Sequence, residues 1–146
     1  MGKIKKILIA NRGEIALRAL RTIKEMDKEV VVVYAKADEE ASYIQFADTA
    51  ICIGKDISTT SYLNIPAIIS SAELAEADAI FPGYGFLSEN QDFVEICEAH
   101  NIRFIGPSLD NMKLMADKST AKEVMKKAGV PVVPGNDGAL KDAEEA

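Results

Sequence analysis

The sequence lacks tryptophan, has a single histidine, His100, and has only two cysteines, Cys52 and Cys97. The cysteines form no Cys-x-x-Cys pair, which excludes the spacing typical of zinc sites and redox dithiols. Both lie in or beside apolar segments, so we expect two reduced core thiols, as is usual for cytoplasmic proteins. His100 follows an apolar helix pattern and is expected at the surface near a helix end.

Long hydrophobic runs and an excess of positive charge are also absent. No stretch reaches the roughly 18 apolar residues of a membrane span, and the N-terminus shows no signal-peptide cleavage pattern. The 146 residues carry a net charge of −6, which disfavours a protein that binds duplex phosphates. We therefore expect a cytoplasmic protein with neither nucleic acid nor membrane as a partner.

Apolar runs and helical patterns alternate over the first 105 residues or so. The run at 30–34 is almost entirely β-branched, as in a parallel strand that is covered on both faces. The pattern predicts an α/β fold: an open, mostly parallel, Rossmann-like sheet with helices on both faces. The predicted strands are 6–10, 30–34, 50–54, 79–81 and 103–105, and the predicted helices are 15–26, a short one through 43–46, 65–75 and 91–100.

The pattern changes after residue 107 to one helix followed by another. Ser108 can cap a helix that ends near Met115, and Asp117 or Ser119 can cap a second one that ends at 128–129. The stretch 130–138 has two prolines and two glycines and is typical of a linker. We expect three parts: a domain at 1–107, a helical segment at 108–129, and a linker with the start of a truncated next domain at 130–146.

Residues 82–90, here called the glycine loop, follow a predicted strand directly with the sequence Pro-Gly-Tyr-Gly-Phe-Leu-Ser-Glu-Asn. Glycine permits positive φ and leaves backbone N–H groups uncovered, while Ser88 and Asn90 can cap the next helix and aim its positive end at an anion. Tyr84 either anchors the loop as a half-buried aromatic or contacts a ligand. Its position between Gly83 and Gly85 favours the contact.

The glycine loop is a poor match to a nicotinamide-cofactor site. In Gly83-x-Gly85-x-x-Ser88, a serine replaces the third glycine of the dinucleotide fingerprint. The next predicted strand is followed by no ribose-binding carboxylate. The sequence also has no Gly-x-x-x-x-Gly-Lys-Ser/Thr phosphate loop. A nicotinamide cofactor is therefore disfavoured.

Two charged pairs admit both a local and a functional interpretation. Arg12 and Glu14 can pair at the surface, yet they lie where strand ends open into the ligand crevice of such sheets. Arg21 and Glu25 are spaced i, i+4, which gives either a local ion pair of about 0.3–0.5 kcal/mol or a contact between subunits.

Charges near two helix starts raise a similar question. Asp38, Glu39 and Glu40 are expected to cap the short helix at 43–46. Lys118 falls in the first turn of its helix, where a cation opposes the helix dipole. It is either a tolerated surface lysine or a contact to an anionic ligand such as nucleotide phosphate.

Five segments, in this order, resemble the amino-terminal part of biotin carboxylase. They are Ile-Ala-Asn-Arg-Gly-Glu-Ile-Ala at 9–16, Ser-Tyr-Leu-Asn-Ile-Pro at 61–66, Phe-Pro-Gly-Tyr-Gly-Phe-Leu-Ser-Glu-Asn at 81–90, Phe-Ile-Gly-Pro at 104–107 and Met-Ala-Asp-Lys at 115–118. The resemblance covers residues 4 to about 140. It implies an ATP-grasp enzyme that activates bicarbonate with ATP, through carboxyphosphate, and carboxylates the ureido nitrogen of biotin on a carrier protein.

The resemblance also implies roles for individual residues. The amino-terminal, pre-ATP-grasp domain forms one wall of the active site, and Lys118 matches a lysine that contacts ATP. Arg21 and Glu25 match positions at a homodimer interface. The residues that match the biotin pocket are Gly83, Tyr84, Gly85 and Phe86.

By the same resemblance, the catalytic residues and the ligands of Mg²⁺ or Mn²⁺ lie beyond Ala146, so this chain alone is expected to be inactive. The implied partners are the biotin carboxyl carrier protein and the carboxyltransferase subunits of acetyl-CoA carboxylase, in fatty acid synthesis. Two alternatives are the equivalent domain of pyruvate carboxylase or another acyl-CoA carboxylase, and a non-catalytic assembly module.

Overall fold

The computed structural model describes residues 3–55 and 58–133. Five strands form one sheet in the order β3-β2-β1-β4-β5, and every neighbouring pair is parallel. The open α/β sheet is confirmed, and it is parallel throughout. The strands are β1 (Lys6–Ile9), β2 (Glu29–Ala35), β3 (Thr49–Gly54), β4 (Ala79–Phe81) and β5 (Arg103–Phe104).

Six helices accompany the sheet in the described part of the chain. They are α1 (Gly13–Glu25), α2 (Ser42–Gln45), α3 (Ile65–Leu74), α4 (Gln91–Ala99), α5 (Leu109–Ala116) and α6 (Lys118–Lys127), with single 3-10 turns at Lys36–Asp38 and Ser58–Thr60. Buried residues of α1 and α2 pack on one face of the sheet, and those of α3 and α4 pack on the other. Each face of the sheet therefore has its own hydrophobic core.

The valine run of β2 shows why the sheet is covered on both sides. Val31 and Val33 point into the core shared with α3 and α4, whereas Val30 and Val32 point into the core shared with α1. All four are at most 1% exposed. Successive strand residues face opposite sides, so a run of strand residues with no polar position needs a hydrophobic cover on each side.

Polar side chains cap four of the helices. Asn64, Asn90, Ser108 and Asp117 each accept a hydrogen bond from a backbone N–H in the first turn of α3, α4, α5 and α6. Of the two residues expected to cap α4, only Asn90 does so. The expected acidic cap of α2 is wrong, because Ala41 holds that position without a side-chain bond.

The two cysteines differ in burial. Cys97 is fully buried beside α3, and burial raises the pKa of its thiol to about 12. Cys52 is exposed, so the prediction of a second core thiol is wrong. The physical reason is that β3 is an edge strand, so several of its side chains are left partly uncovered. His100 ends α4 at the surface, as expected.

The chain divides into two compact units, Met1–Pro107 and Ser108–Ala146. The first contains the whole sheet with α1 to α4, and the second contains α5 and α6, which contact each other. Part of the predicted linker, residues 134–146, lies outside the described residues. None of the described helices is both long and apolar enough to cross a membrane.

Candidate functional site

The two motifs singled out in the sequence meet at the carboxyl edge of the sheet. Strands β1 and β4 are neighbours, yet β1 leads into α1 on one face and β4 leads into α4 on the other. Such a point, where the chain leaves adjacent strands in opposite directions, opens the crevice in which parallel α/β sheets bind ligands. Residues 10–14 and the glycine loop form the two sides of that crevice.

Asn11 joins these two sides. Its side chain is fully buried, and Nδ2 donates to the carbonyl oxygens of Pro82, at 2.7 Å, and Tyr84, at 2.9 Å. Its Oδ1 accepts from the backbone N–H of Arg12 at 2.8 Å. One amide group therefore fixes both loops. The sequence motif contained Asn11, but its role was missed; the only signal is a polar residue directly after a buried strand.

Close packing explains the first glycine of the loop. Gly83 has φ +67°, and a Cβ built on it would lie 2.7 Å from Ile15 Cγ2 and 2.9 Å from Asn11 Nδ2. Gly85 has φ +73° but faces open space. Phe86, which follows, also has a positive φ of 43°. The prediction of positive φ is confirmed, and only Gly83 is needed for space as well.

Tyr84 projects from the loop into solvent, with 64% of its surface exposed. Its hydroxyl donates to Glu14 Oε1 at 2.9 Å, and this bond to a carboxylate raises the pKa of the phenol. The interpretation of Tyr84 as a half-buried anchor is therefore wrong. Its exposed ring is available to a ligand, while its hydroxyl is held by the first turn of α1.

Arg12 pairs with Asp38 and not with Glu14, contrary to the surface pair considered from the sequence. Its guanidinium makes two bonds to the Asp38 carboxylate, with Nε 2.7 Å from Oδ2. Tyr62 also donates its hydroxyl to Asp38 Oδ2 at 2.5 Å. These donors, Arg12 first, lower the pKa of Asp38, while the carboxylate raises the pKa of Arg12.

Tyr62 connects this charged pair to the glycine loop. It is almost fully buried, and its ring stacks on Phe86 with centroids 5.1 Å apart. Its hydroxyl accepts from the backbone N–H of Ala35 at 3.0 Å. The Arg12 guanidinium carbon lies 5.9 Å from the centre of the same ring. The end of β2, the turn after β1 and the glycine loop are thus held together through one phenol.

A groove of about 810 Å³ runs along α1 toward the edge strand β5. Glu14, Gly83 and Tyr84 contribute to its lining, so it adjoins the crevice described above. Most of the remaining lining is apolar, including Ile15, Ala19, Phe81 and Ile105. A concave surface with few polar groups is the usual form of a ligand site or of a contact with another part of a protein.

The other predicted residues lie on helices α1 and α6. Arg21 and Glu25 are exposed on α1, and the ion pairs between described residues do not include one between them. Lys118 is the first residue of α6, in the second unit, and is exposed. Asp117 before it accepts from Ser119 Oγ and Thr120 N, which lower its pKa to about 2.

Comparison with known proteins identifies the family. The model of the biotin carboxylase N-terminal domain matches residues 3–112. Biotin carboxylase 1 of Bacillus subtilis is 54% identical over 143 residues, which cover 98% of this chain and 32% of the relative. Biotin carboxylase of Pseudomonas aeruginosa is 53% identical over 142 residues, which cover 97% of this chain and 32% of the relative.

Solved structures agree. A biotin carboxylase complex from Campylobacter jejuni superposes with a TM-score of 0.93 at 71% identity, over 99% of this chain and 32% of the other. The biotin carboxylase subunit of a pyruvate carboxylase superposes with a TM-score of 0.86 at 50% identity, over 98% of this chain and 32% of the other.

The fold defines a parallel α/β domain with a crevice at its switch point, the place where sheets of this class bind ligands. The chain belongs to the biotin carboxylase N-terminal domain family and corresponds to the N-terminal region of a biotin carboxylase. It spans about a third of the length of the relatives it matches.

Proposed function

We propose that this chain is the amino-terminal part of a biotin carboxylase that uses ATP and bicarbonate to carboxylate biotin on its carrier protein. One observation carries the proposal. This chain belongs to the family and holds its glycine loop at the switch point of the sheet, with Tyr84 exposed. Gly83, Tyr84, Gly85 and Phe86 form the wall beside biotin. The chain contributes this wall and no catalytic residue, so alone it is inactive.

The reaction has two steps. A bicarbonate oxygen attacks the γ-phosphorus of ATP, the bond to the bridging oxygen breaks, and ADP leaves with the electron pair. The ureido nitrogen of biotin then loses its proton to a base and bonds to the carboxyl carbon of carboxyphosphate, and phosphate leaves. An enzyme accelerates phosphoryl transfer mainly by positioning the reactants and by stabilising the charge of the transition state. The part of this task that falls to the present chain is the placement of biotin.

ATP, the metal and bicarbonate are assigned mostly to the part of the enzyme beyond this chain. Lys118 is proposed to contact ATP; its exposure at the start of α6 leaves the ammonium available to a phosphate. Among the described residues no cluster of three carboxylate, histidine or cysteine side chains fits a metal ion. By the family resemblance, the proposed ligands of Mg²⁺ or Mn²⁺ belong to the other two thirds of the enzyme. A related structure, the biotin carboxylase domain of the 2-oxoglutarate carboxylase from Hydrogenobacter thermophilus, was solved with MgADP and bicarbonate.

The proposed assembly is a cytoplasmic homodimer that works with a biotin carboxyl carrier protein and carboxyltransferase subunits. That related biotin carboxylase domain was solved as a dimer, and Arg21 and Glu25 are exposed on α1 here. Residues 1–107 are the pre-ATP-grasp domain in this proposal. Residues 108–129 begin the ATP-grasp region, and 130–146 lead into the next domain.

Acetyl-CoA carboxylase, in fatty acid synthesis, is the proposed holoenzyme. The identity is 71% to a Campylobacter jejuni protein named biotin carboxylase and 50% to the pyruvate carboxylase subunit. This difference favours a biotin carboxylase that is not part of a pyruvate carboxylase, and acetyl-CoA carboxylase is proposed from the family resemblance. Pyruvate carboxylase is the second candidate, because that subunit still matches 98% of the chain. Transfer of labelled carboxyl from the native complex to acetyl-CoA, and not to pyruvate, would support the first.

The central test is ATP hydrolysis by the complete polypeptide. We expect hydrolysis that depends on both bicarbonate and free biotin. Lys118→Ala should raise the KM for ATP at least tenfold, because a charge-assisted bond to a phosphate is lost, and should leave the KM for biotin unchanged. Lys127→Ala, at an exposed lysine at the other end of α6, is the matched control. A complete polypeptide without biotin-dependent activity would favour the assembly module, and an unchanged ATP dependence would remove Lys118 from the site.

A further inference from the structure

We propose that Asn11 is the positioning residue that sets the conformation of the glycine loop and so places Tyr84 against biotin. The inference rests on the proposed function for the identity of the ligand. Asn11 does not touch the exposed side of the loop; it acts from the buried side, through the loop backbone.

The hydrogen bonds of Asn11 are specific to an amide side chain. Two acceptors, the carbonyls of Pro82 and Tyr84, require two N–H donors on one atom, while the backbone N–H of Arg12 requires an acceptor on the other. Asparagine supplies both groups at this length. Aspartate would set a carboxylate oxygen against two carbonyl oxygens, and serine could serve only one of the two.

The two bonded carbonyls stand on either side of Gly83 in the chain, so the amide fixes the backbone at the point where it turns. The turn also fits tightly against the asparagine, because a Cβ at Gly83 would come within 2.9 Å of Nδ2. The bond to Pro82 is buried, and the bonds to Tyr84 and Arg12 are partly buried. A buried polar group that loses its partner also loses its solvation by water, so the turn is most stable in the conformation that satisfies the amide.

Tyr84 is consequently held at two places, by the β1–α1 connection and by the first turn of α1. Asn11 binds its carbonyl oxygen at 2.9 Å, and Glu14 binds its hydroxyl at 2.9 Å. Between these points the ring remains exposed. This arrangement fixes an aromatic surface before a ligand arrives, and preorganisation of this kind lowers the cost of binding.

The test compares Asn11→Asp and Asn11→Ser with the unchanged complete polypeptide in ATP hydrolysis assays with free biotin as the varied substrate. A displacement of about 1 Å at a positioning group can cost as much as 10²-fold. We expect the KM for biotin to rise at least tenfold in Asn11→Asp and by less in Asn11→Ser. The KM for ATP should stay within twofold in both, which a general loss of folding would not produce.

Asn64→Ala is the matched control. It removes a half-buried asparagine that caps α3 and does not bond to the loop, so it should lower the stability of the fold and leave the KM for biotin unchanged. If Asn11→Asp does not fold, Asn11→Ser gives the same comparison, because it keeps one donor. A biotin KM that is unchanged in a folded Asn11 variant overturns the inference. An unchanged polypeptide without any biotin-dependent hydrolysis overturns the proposed function instead.

Discussion

Gly83 and Gly85 share a left-handed backbone conformation and differ in their surroundings. A methyl group at Gly83 would overlap Ile15 and Asn11, whereas a methyl group at Gly85 would enter open space. Substitutions at these two positions can therefore distinguish the free-energy cost of the backbone conformation from the free-energy cost of close packing.

We expect Gly85→Ala to lower the free energy of unfolding by about 1–2 kcal/mol, the cost of positive φ for an L residue. Gly83→Ala should lower it by a further 1–3 kcal/mol or so, since overpacking adds to the same conformational cost. Urea unfolding of both variants measures the difference. Equal losses would show that the neighbours of Gly83 move aside freely.

The carboxylate of Asp38 gives stability that depends on pH. Its pKa is lowered in the folded chain by the bonds from Arg12 and Tyr62. Because the folded pKa is below the unfolded one, the contribution is full above the unfolded pKa and is lost as pH falls through the folded pKa. The loss therefore occurs below about pH 4, given the ordinary pKa of aspartate.

Asp38→Asn should cost about 1–2 kcal/mol at pH 7, since bonds from charged donors are weakened and the half-exposed Arg12 is partly screened by solvent. Urea midpoints of the two proteins should converge as the pH falls from 5 toward 2. Asp110→Asn, at an exposed position on α5, provides the comparison for removal of a surface carboxylate. If the difference in urea midpoint between Asp38→Asn and the unchanged protein stays constant down to pH 2, the Asp38 carboxylate is not the source of the pH dependence.

Among the elements, α4 shows how a single side chain sets a helix start. Asn90 accepts from Phe93 N at 2.8 Å, whereas Ser88, which the sequence offered equally, takes no part in the cap. Asn90→Ala should lower the free energy of unfolding by about 1 kcal/mol. Ser88→Ala should change it by less than about 0.5 kcal/mol. Thermal unfolding of the two variants tests this prediction. A larger loss of unfolding free energy in Ser88→Ala than in Asn90→Ala would show that the serine caps the helix.

The strands could be predicted from the sequence because their signals are local. The β-branched run of β2 and the short run of β4 are each bounded by turn residues, so their positions follow within a residue or two. Helix caps such as Ser108 and Asp117 are equally local.

The contacts of the site could not be predicted, because they depend on which strands become neighbours. Arg12 and Asp38 are 26 residues apart, and Tyr84 and Glu14 are 70 apart. Asp38 therefore looked like a helix cap, and Glu14 like a partner for Arg12. Cys52 was misassigned for a similar reason, since nothing in its segment marks β3 as an edge strand. The local pattern of apolar residues identifies a strand. The order of the strands in the sheet decides which residues lie near its end.

For the whole molecule, the proposed dimer makes a prediction about charge. Arg21→Glu in the complete polypeptide should shift it toward monomer, because a contact between opposite charges becomes a repulsion. Sedimentation velocity at low and high salt measures the shift. Lys113→Glu makes the same charge change on α5 and should have no effect. An unshifted dimer would leave Arg21 and Glu25 as ordinary surface residues of α1.

The bond from Asn11 to Pro82 has a consequence for the newly made chain. Its partners are 71 residues apart, and synthesis proceeds from the amino end. The strands β1 and β2 can pair early, but the Asn11 amide must remain hydrated on the ribosome until β4 has emerged and docked beside β1. The side of the crevice formed by the glycine loop is therefore among the last parts of the sheet to be completed, and it cannot form as a local peptide structure before then.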